Sequence, residues 1–496
     1  MANNYRQIFK SSFLIGGASG INMLIGLVKV KFVAVLLGPD GVGLLGVFNN
    51  LVMLVQSCVG LGLNNSGVRQ IADANTSGDQ KKIAVTLGSY RRLVLITGIL
   101  GMILVGAFCV PLSKLSFGTP KYALMIAFLG ISIFLSVIAS GQTCLLQGMR
   151  RIREIAIVNV LGTLIATAMA IPCYYFWGLK GIVPSLILLS AGNLLVTWYF
   201  ARKIPIPKEK LMLSDFKREA FSLIRLGVCF MASGVLGMAS AYFIKIILIR
   251  EADLVVSGYY QAAFNLSGVL IGFILTAMGT DYYPRLVEKI KSREEVNREV
   301  NEQSEIAYLL GFPGVLFMVV FAPLAIHVVY SASFTAAILP LQLFMLGVWG
   351  RIITWPVGFV LLAYNAGGWF LFMECLGALL QVGLCWLGLS LWGLNGAAVG
   401  FGGMYALWGV VLFILIFWKY RVRLNNIQLF WGIFLGGILL FSLCLPWMVG
   451  NFWIQWGIQL SLLAGACLLC LRQLQKRLHF SLVELKQKIF KPSQNG

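Results

Sequence analysis

The chain has 496 residues, of which 59% are hydrophobic and only 11% charged, and its formal net charge is +21. A soluble globular protein carries roughly 25% charged residues, so composition excludes a water-soluble domain. It also turns the basic balance away from nucleic acid and towards loops gathered on one side of a membrane.

Apolar runs of about 20 residues recur along nearly the whole length, each long enough to cross about 30 Å of hydrocarbon. They are continuous rather than alternating, so they predict helices and not barrel strands. In chain order the helices fall at about 11–37, 42–66, 84–110, 121–148, 155–177 and 181–200. The run after Lys10 is too long for a signal-peptide core and is expected to stay in the protein. A polar basic link with two prolines follows. The second set is expected at about 221–249, 254–283, 304–325, 338–364, 370–391 and 394–418, with a further pair at about 427–449 and 453–471. That gives about 14 transmembrane helices. Residues 472–491, RQLQKRLHFSLVELKQKIFK, read either as a basic amphipathic helix on the membrane surface or as a solvated tail.

The two sets of six are related. Lys31 in KVKFVAVLLGPDGVG answers to Lys245, 214 residues on; Phe48-Asn49 answers to Phe264-Asn265, and Arg69 to Arg285, at 216. Gly162 in VNVLGTLI matches Gly377 in MECLGALL, and WGLKG at Trp177 matches WGLNG at Trp392, both at 215. A nearly constant offset across five anchors marks a duplicated unit, a transporter signature. Six helices is an even number, so the repeats share an orientation and form two parallel bundles around a central cleft. The expected organisation is an N-terminal lobe 1–205, a basic linker 206–220, a C-terminal lobe 221–420, an extra helix pair 421–471 and a basic tail 472–496. Of the 39 Lys and Arg residues, 31 fall on the side that holds both termini, which makes that side cytoplasmic.

Charges at helix depth cost about 2.5–3.5 kcal/mol each on insertion scales. Lys29, Lys31, Lys245 and Arg351 are the four, all cationic. Lys29 and Lys31 lie about 200° apart around one helix, and Lys31 is favoured for the cleft because it has the repeat partner. The alternative for each is snorkelling towards the headgroups. If they converge, the cleft suits a phosphorylated or carboxylated solute, with Arg for bidentate contact and Lys as a point charge. Arg69 and Arg285 rim the basic mouth, either as a landing site for an anionic headgroup or as plain positive-inside bias. Asp281, four residues before Arg285, reads first as an i,i+4 salt bridge and second as an ion-coupling site. Glu374, whose repeat counterpart is Asn159, either hydrogen-bonds to a neighbouring helix or titrates. Polar residues such as Asn50, Gln56 and Gln142 read by default as helix-to-helix bonds.

No nucleophile elbow, phosphate-binding loop or catalytic set is present in the sequence. The ten cysteines lie mostly in apolar segments; Cys467 and Cys470 form a CxxC with no partner pair, and His327 and His479 are far apart, so no metal site is expected.

The LGPDGVG turn behind a basic residue, FNNLV after it, NNSGVRQIA and LLQGMRRIREIAIVNVLG together resemble the Wzx-type O-antigen translocases of the multidrug/oligosaccharidyl-lipid/polysaccharide exporter superfamily. The resemblance implies alternating access and transfer of an undecaprenyl-diphosphate-linked oligosaccharide between leaflets of a bacterial inner membrane. Lys31 takes the place of the basic residue before LGP in that family. The resemblance also implies membrane lipid, the polysaccharide polymerase and the chain-length regulator as partners, and no cofactor beyond a proton or Na⁺. Often such proteins have twelve helices, and the pair at 427–471 departs from that. Two rival readings remain at this point. A cation-coupled drug exporter of the same superfamily would need carboxylates in the cleft. A membrane polymerase or ligase would be expected to show an acidic catalytic pair or a large periplasmic loop, and the longest expected here is about a dozen residues.

Overall fold

The computed structural model describes residues 2–77, 79–204 and 212–478, and among these there is no strand. The helices are α1 Ala2–Val59, α2 Leu63–Ser77, α3 Gln80–Ala107, α4 Cys109–Phe117, α5 Ala123–Gly148, α6 Ile152–Trp177 and α7 Ile182–Ala201. They continue with α8 Leu213–Glu251, α9 Leu254–Glu288, α10 Arg293–Val320, α11 Ala322–Val329, α12 Ile338–Ala363, α13 Gly367–Tyr420, α14 Asn426–Met448 and α15 Phe452–Leu478. Nine stretches of the described residues are long and apolar enough to cross a membrane. Three of them, 40, 50 and 54 residues long, each hold two of the expected spans. In addition α8 and α9 have 39 and 35 residues, ample length for a bilayer. The protein is an all-helical, multi-pass membrane protein.

Several boundaries moved for local reasons. The α1 helix bends at Gly38, whose φ of 64° lies in the left-handed region, and Pro39 next to it has no N–H to donate. It ends at Val59 rather than near 66, because Leu61 and Gly62 both take positive φ, and α2 follows where a loop was expected. At the other end of the chain, α10 starts at Arg293 instead of about 304. Ser292 caps it by accepting from the Glu295 N–H, a Ser-x-x-Glu start signal. Helix α8 begins at Leu213, inside the stretch expected as linker. The tail expected at 472–491 is helical as far as Leu478, and the rest of it lies outside the described residues.

The chain divides into two compact units, Met1–Gln261 with Val328–Ser333, and Ala262–His327 with Phe334–Gly496. In the first, the turn between α1 and α2 meets α8 backbone to backbone: a Cβ built on Gly62 would lie 2.0 Å from the Gly227 carbonyl oxygen. Asn50 donates to the Ala241 carbonyl at 3.3 Å, and Gln56 donates to Ser140 at 2.8 Å, so both asparagine and glutamine bond helix to helix. In the second unit the core gathers Tyr282, Leu286, Val296, Val300, Val357, Val360 and Met373. Asn297 and Asn301 on α10 hold the 421–425 turn by bonds to its backbone.

The duplication is visible in the backbone of each unit taken by itself. Gly178 has φ 51° and ψ −131°; Gly393, 215 residues on, has φ 59° and ψ −143°. A Cβ on Gly181 would lie 2.1 Å from the Cys173 carbonyl oxygen, and one on Gly396 would lie 1.9 Å from that of Gly388. Gly162 faces Asn193, and Gly377 faces Trp408, again a pair of contacts at the same offset.

Candidate functional site

The first unit holds Lys29, Lys31, Arg69 and Lys245. Lys29 and Lys31 are half-buried on α1 before its bend. Lys245 on α8 is only 3% exposed. Its ammonium lies 3.5 Å from the Ser257 carbonyl oxygen and 4.9 Å from the centre of the Tyr260 ring. A desolvated ammonium over an aromatic face gains about 2 kcal/mol, which offsets part of the cost of burial. Lys245 is therefore packed into protein and does not snorkel. Arg69 on α2 is exposed and forms no ion pair among the described residues.

Its repeat partner Arg285 in the second unit is differently placed. Arg285 meets Asp281 at 3.0 Å on its own helix, Glu299 of α10 at 3.0 Å and Gln303 at 3.2 Å. Glu299 also pairs with Lys289 and is 1% exposed. A buried carboxylate held by two cations satisfies the rule that buried charges are paired. Glu299 was missed in the sequence because residues 284–303 read as a loop; the Ser292–Glu295 cap was the signal that places it on a helix. At the 216-residue offset that relates Arg69 to Arg285, the counterparts of Asp281 and Glu299 are Asn65 and Ile83, so the first unit lacks the two acids that hold Arg285. Asp281 is in this way half of the salt bridge read first for it.

Arg351 and Glu374 both lie in the second unit, near one tyrosine. Helix α12 presents Gly347, Gly350 and Thr354 to Phe401, Tyr405 and Gly409 of α13, with built Cβ atoms meeting the opposite helix at 2.2 to 2.9 Å. Arg351 borders this seam. The Tyr405 phenol lies within electrostatic reach of both Arg351 and the half-buried Glu374. Trp408 donates to the Met373 carbonyl at 2.8 Å and so fixes the turn of α13 that carries Glu374. Arg351 itself is exposed. It stands near the midpoint of α12, about 18 Å along the axis from either end. That is too far for a snorkelling side chain.

The corresponding seam of the first unit is a serine ladder. Ser136 bonds Ser190 at 2.9 Å, Ser190 bonds Ser132 at 2.8 Å, and Ser132 donates to the Leu186 carbonyl at 3.2 Å. Moving 215 residues on, Ser132, Ser136 and Ser190 become Gly347, Arg351 and Tyr405. Where one repeat uses small hydroxyls to join two helices, the other carries a guanidinium and a phenol with a carboxylate nearby. Among the described residues no group of three or more metal-ligating side chains is present.

A family model described as polysaccharide biosynthesis protein matches residues 8–290. The chain belongs to that family. Among its curated relatives is the stage V sporulation protein B of Bacillus subtilis, 23% identical over 410 residues, covering 76% of this chain and 77% of that one. The lipid III flippase of Escherichia coli is 21% identical over 302 residues, covering 59% and 70%. Among solved structures, the lipid II flippase MurJ in an inward closed conformation superposes with a TM-score of 0.72 at 13% identity, covering 94% of this chain and all of that one. An inward-facing multidrug resistance transporter of the MATE family, in the MOP superfamily, gives 0.68 at 17%, covering 81% and 94%. The fold is that of the MOP-superfamily transporters.

Proposed function

We propose that this polysaccharide biosynthesis family member is a flippase for a lipid-linked glycan. Its cargo is an undecaprenyl-diphosphate-linked oligosaccharide of O-antigen type, carried between leaflets of a bacterial inner membrane by alternating access, with both termini cytoplasmic. It is a transporter and not an enzyme. The observation that carries the reading is Arg351, an exposed guanidinium at the middle of a membrane-length helix, where the other repeat has Ser136. Facing hydrocarbon it would cost about 2.5–3.5 kcal/mol; facing a water-filled path it offers a fork that fits a diphosphate.

Three further points support the reading. Two similar proteins are named as flippases of lipid-linked molecules. Lys31, Lys29 and Lys245 add positive charge at depth in the first unit, and Arg69 forms no ion pair among the described residues. A diphosphate cargo is also driven outward by an inside-negative potential, at about 2.3 kcal/mol per charge per 100 mV. In this account Arg351 of the second unit binds the diphosphate, Lys31 adds positive charge in the first unit, and Glu374 is the site at which a proton or Na⁺ enters the cycle. Arg285 and the buried Glu299 hold the mouth of the second unit together, and Arg69 receives the headgroup.

The test is complementation of a strain lacking the protein with Arg351→Ala, with membrane abundance measured alongside. The expected outcome is normal abundance, loss of surface polysaccharide and accumulation of the lipid-linked intermediate. Normal export by this variant would remove the anion-binding role.

A further inference from the structure

A second place where the first unit gathers charge lies outside the site described above. A cavity of about 450 Å³ opens between α3, α5 and α7. Arg91 of α3, Gln142 of α5, and Trp198 and Arg202 at the end of α7 line it, and the fully buried Tyr90 closes its inner wall. Gln142, Trp198 and Arg202 lie near the ends of α5 and α7 that carry the excess of Lys and Arg, and Arg91 stands about 16 Å along α3 from its first residue. The Arg202 guanidinium is stacked on two rings, 4.9 Å from Trp198 and 4.8 Å from Tyr199. Stacking fixes the plane of the guanidinium while leaving its in-plane N–H donors available. Neither Arg91 nor Arg202 has an acidic partner among the described residues.

The cavity also holds an unmet acceptor. The Gln142 side-chain oxygen is buried and accepts no hydrogen bond among the described residues. A buried polar atom left so carries a desolvation cost that a hydroxyl donor would offset. The site therefore asks for two things at once, an anion for the arginines and a hydroxyl for Gln142. At its rim Leu95 and Trp198 are 47% and 48% exposed. They lie on the apolar faces of α3 and α7, and Trp at this depth suits the headgroup level.

We propose that this cavity binds the headgroup of an anionic glycerophospholipid, a phosphatidylglycerol. The phosphate accepts from Arg91 and Arg202, a glycerol hydroxyl donates to Gln142, and the acyl chains run over Leu95. The lipid is a resident of the first unit and not the transported cargo.

The experiment uses the full chain in detergent, titrated with phosphatidylglycerol, phosphatidic acid and phosphatidylcholine and read by native mass spectrometry. The expected result is retention of phosphatidylglycerol over phosphatidylcholine, weakened about tenfold in the double variant Arg91→Gln/Arg202→Gln and unchanged in Lys121→Gln on the other side. Gln142→Leu is expected to keep anionic lipid but to lose the preference for phosphatidylglycerol over phosphatidic acid, which has no headgroup hydroxyl. This second readout decides the matter if the double variant does not elute as a folded protein. Equal retention of phosphatidylcholine, or unchanged retention by the variants, overturns the proposal. Displacement of the lipid by inorganic phosphate at equal concentration assigns the cavity to a free anion, and displacement by polyprenyl diphosphate assigns it to the cargo; either result overturns it too.

Discussion

Glu299 and Arg351 show how differently a charge can be used in one unit. Glu299 is buried between Arg285 and Lys289, so Glu299→Gln leaves two cations facing a neutral amide. Breaking a buried pair costs about 3–5 kcal/mol, and the expected outcome is a large fall in thermal stability of the purified protein. Asp281, with a side chain 76% exposed, is the contrast: Asp281→Asn is expected to cost about 0.5 kcal/mol or less and to leave the melting temperature nearly unchanged. Arg351 contributes nothing comparable to folding. Arg351→Ala is expected to keep stability and abolish transport, whereas Ser136→Ala at the matching place in the first unit loses one helix-to-helix hydrogen bond, worth about 1 kcal/mol, and keeps transport. Thermal scans and export measurements on the same four variants separate the two kinds of residue.

At the scale of elements, the glycines that the repeat pairs are contacts rather than gaps. A methyl group at Gly181 or Gly396 would meet a backbone carbonyl at about 2 Å, and a carbonyl within a helix cannot swing aside. Gly181→Ala and Gly396→Ala are therefore both expected to reduce the amount of folded protein in the membrane, measured by detergent-resistant monodisperse yield. Overpacking of this kind costs about 1–3 kcal/mol or more. Gly437, with no atom within 4 Å of its built Cβ, is the control, and Gly437→Ala is expected to be neutral. These contacts were legible in part. The 215-residue offset of WGLKG and WGLNG was in the sequence, and so were the long apolar helices and the bend at Gly38-Pro39. The burial of Glu299 was not, because a charged, loop-like stretch hides a capped helix start, and charge alone says nothing of which neighbour it meets. The depth of Arg351 was legible in the sequence, but its exposure beside Tyr405 needed α12 and α13 to be built. The serine ladder was also hidden, since single serines in apolar helices carry no signal until their partners are known.

At the scale of the whole molecule, the family and the fold fit a flippase for a lipid-linked glycan, and the proposal adds that its cargo is an anion. A passive carrier of an anion gains from an inside-negative potential and needs no nucleotide site. The rate of outward movement is expected to rise with the potential and to fall when it is collapsed. The most direct test is the purified protein in liposomes with undecaprenyl-diphosphate-linked oligosaccharide in the inner leaflet, reading its arrival in the outer leaflet with a membrane-impermeant glycosidase. The account predicts rapid transfer by the wild-type protein and transfer at the protein-free rate by Arg351→Ala. Transfer by the variant at the wild-type rate, or none by the wild-type protein in a potential of either sign, would contradict it.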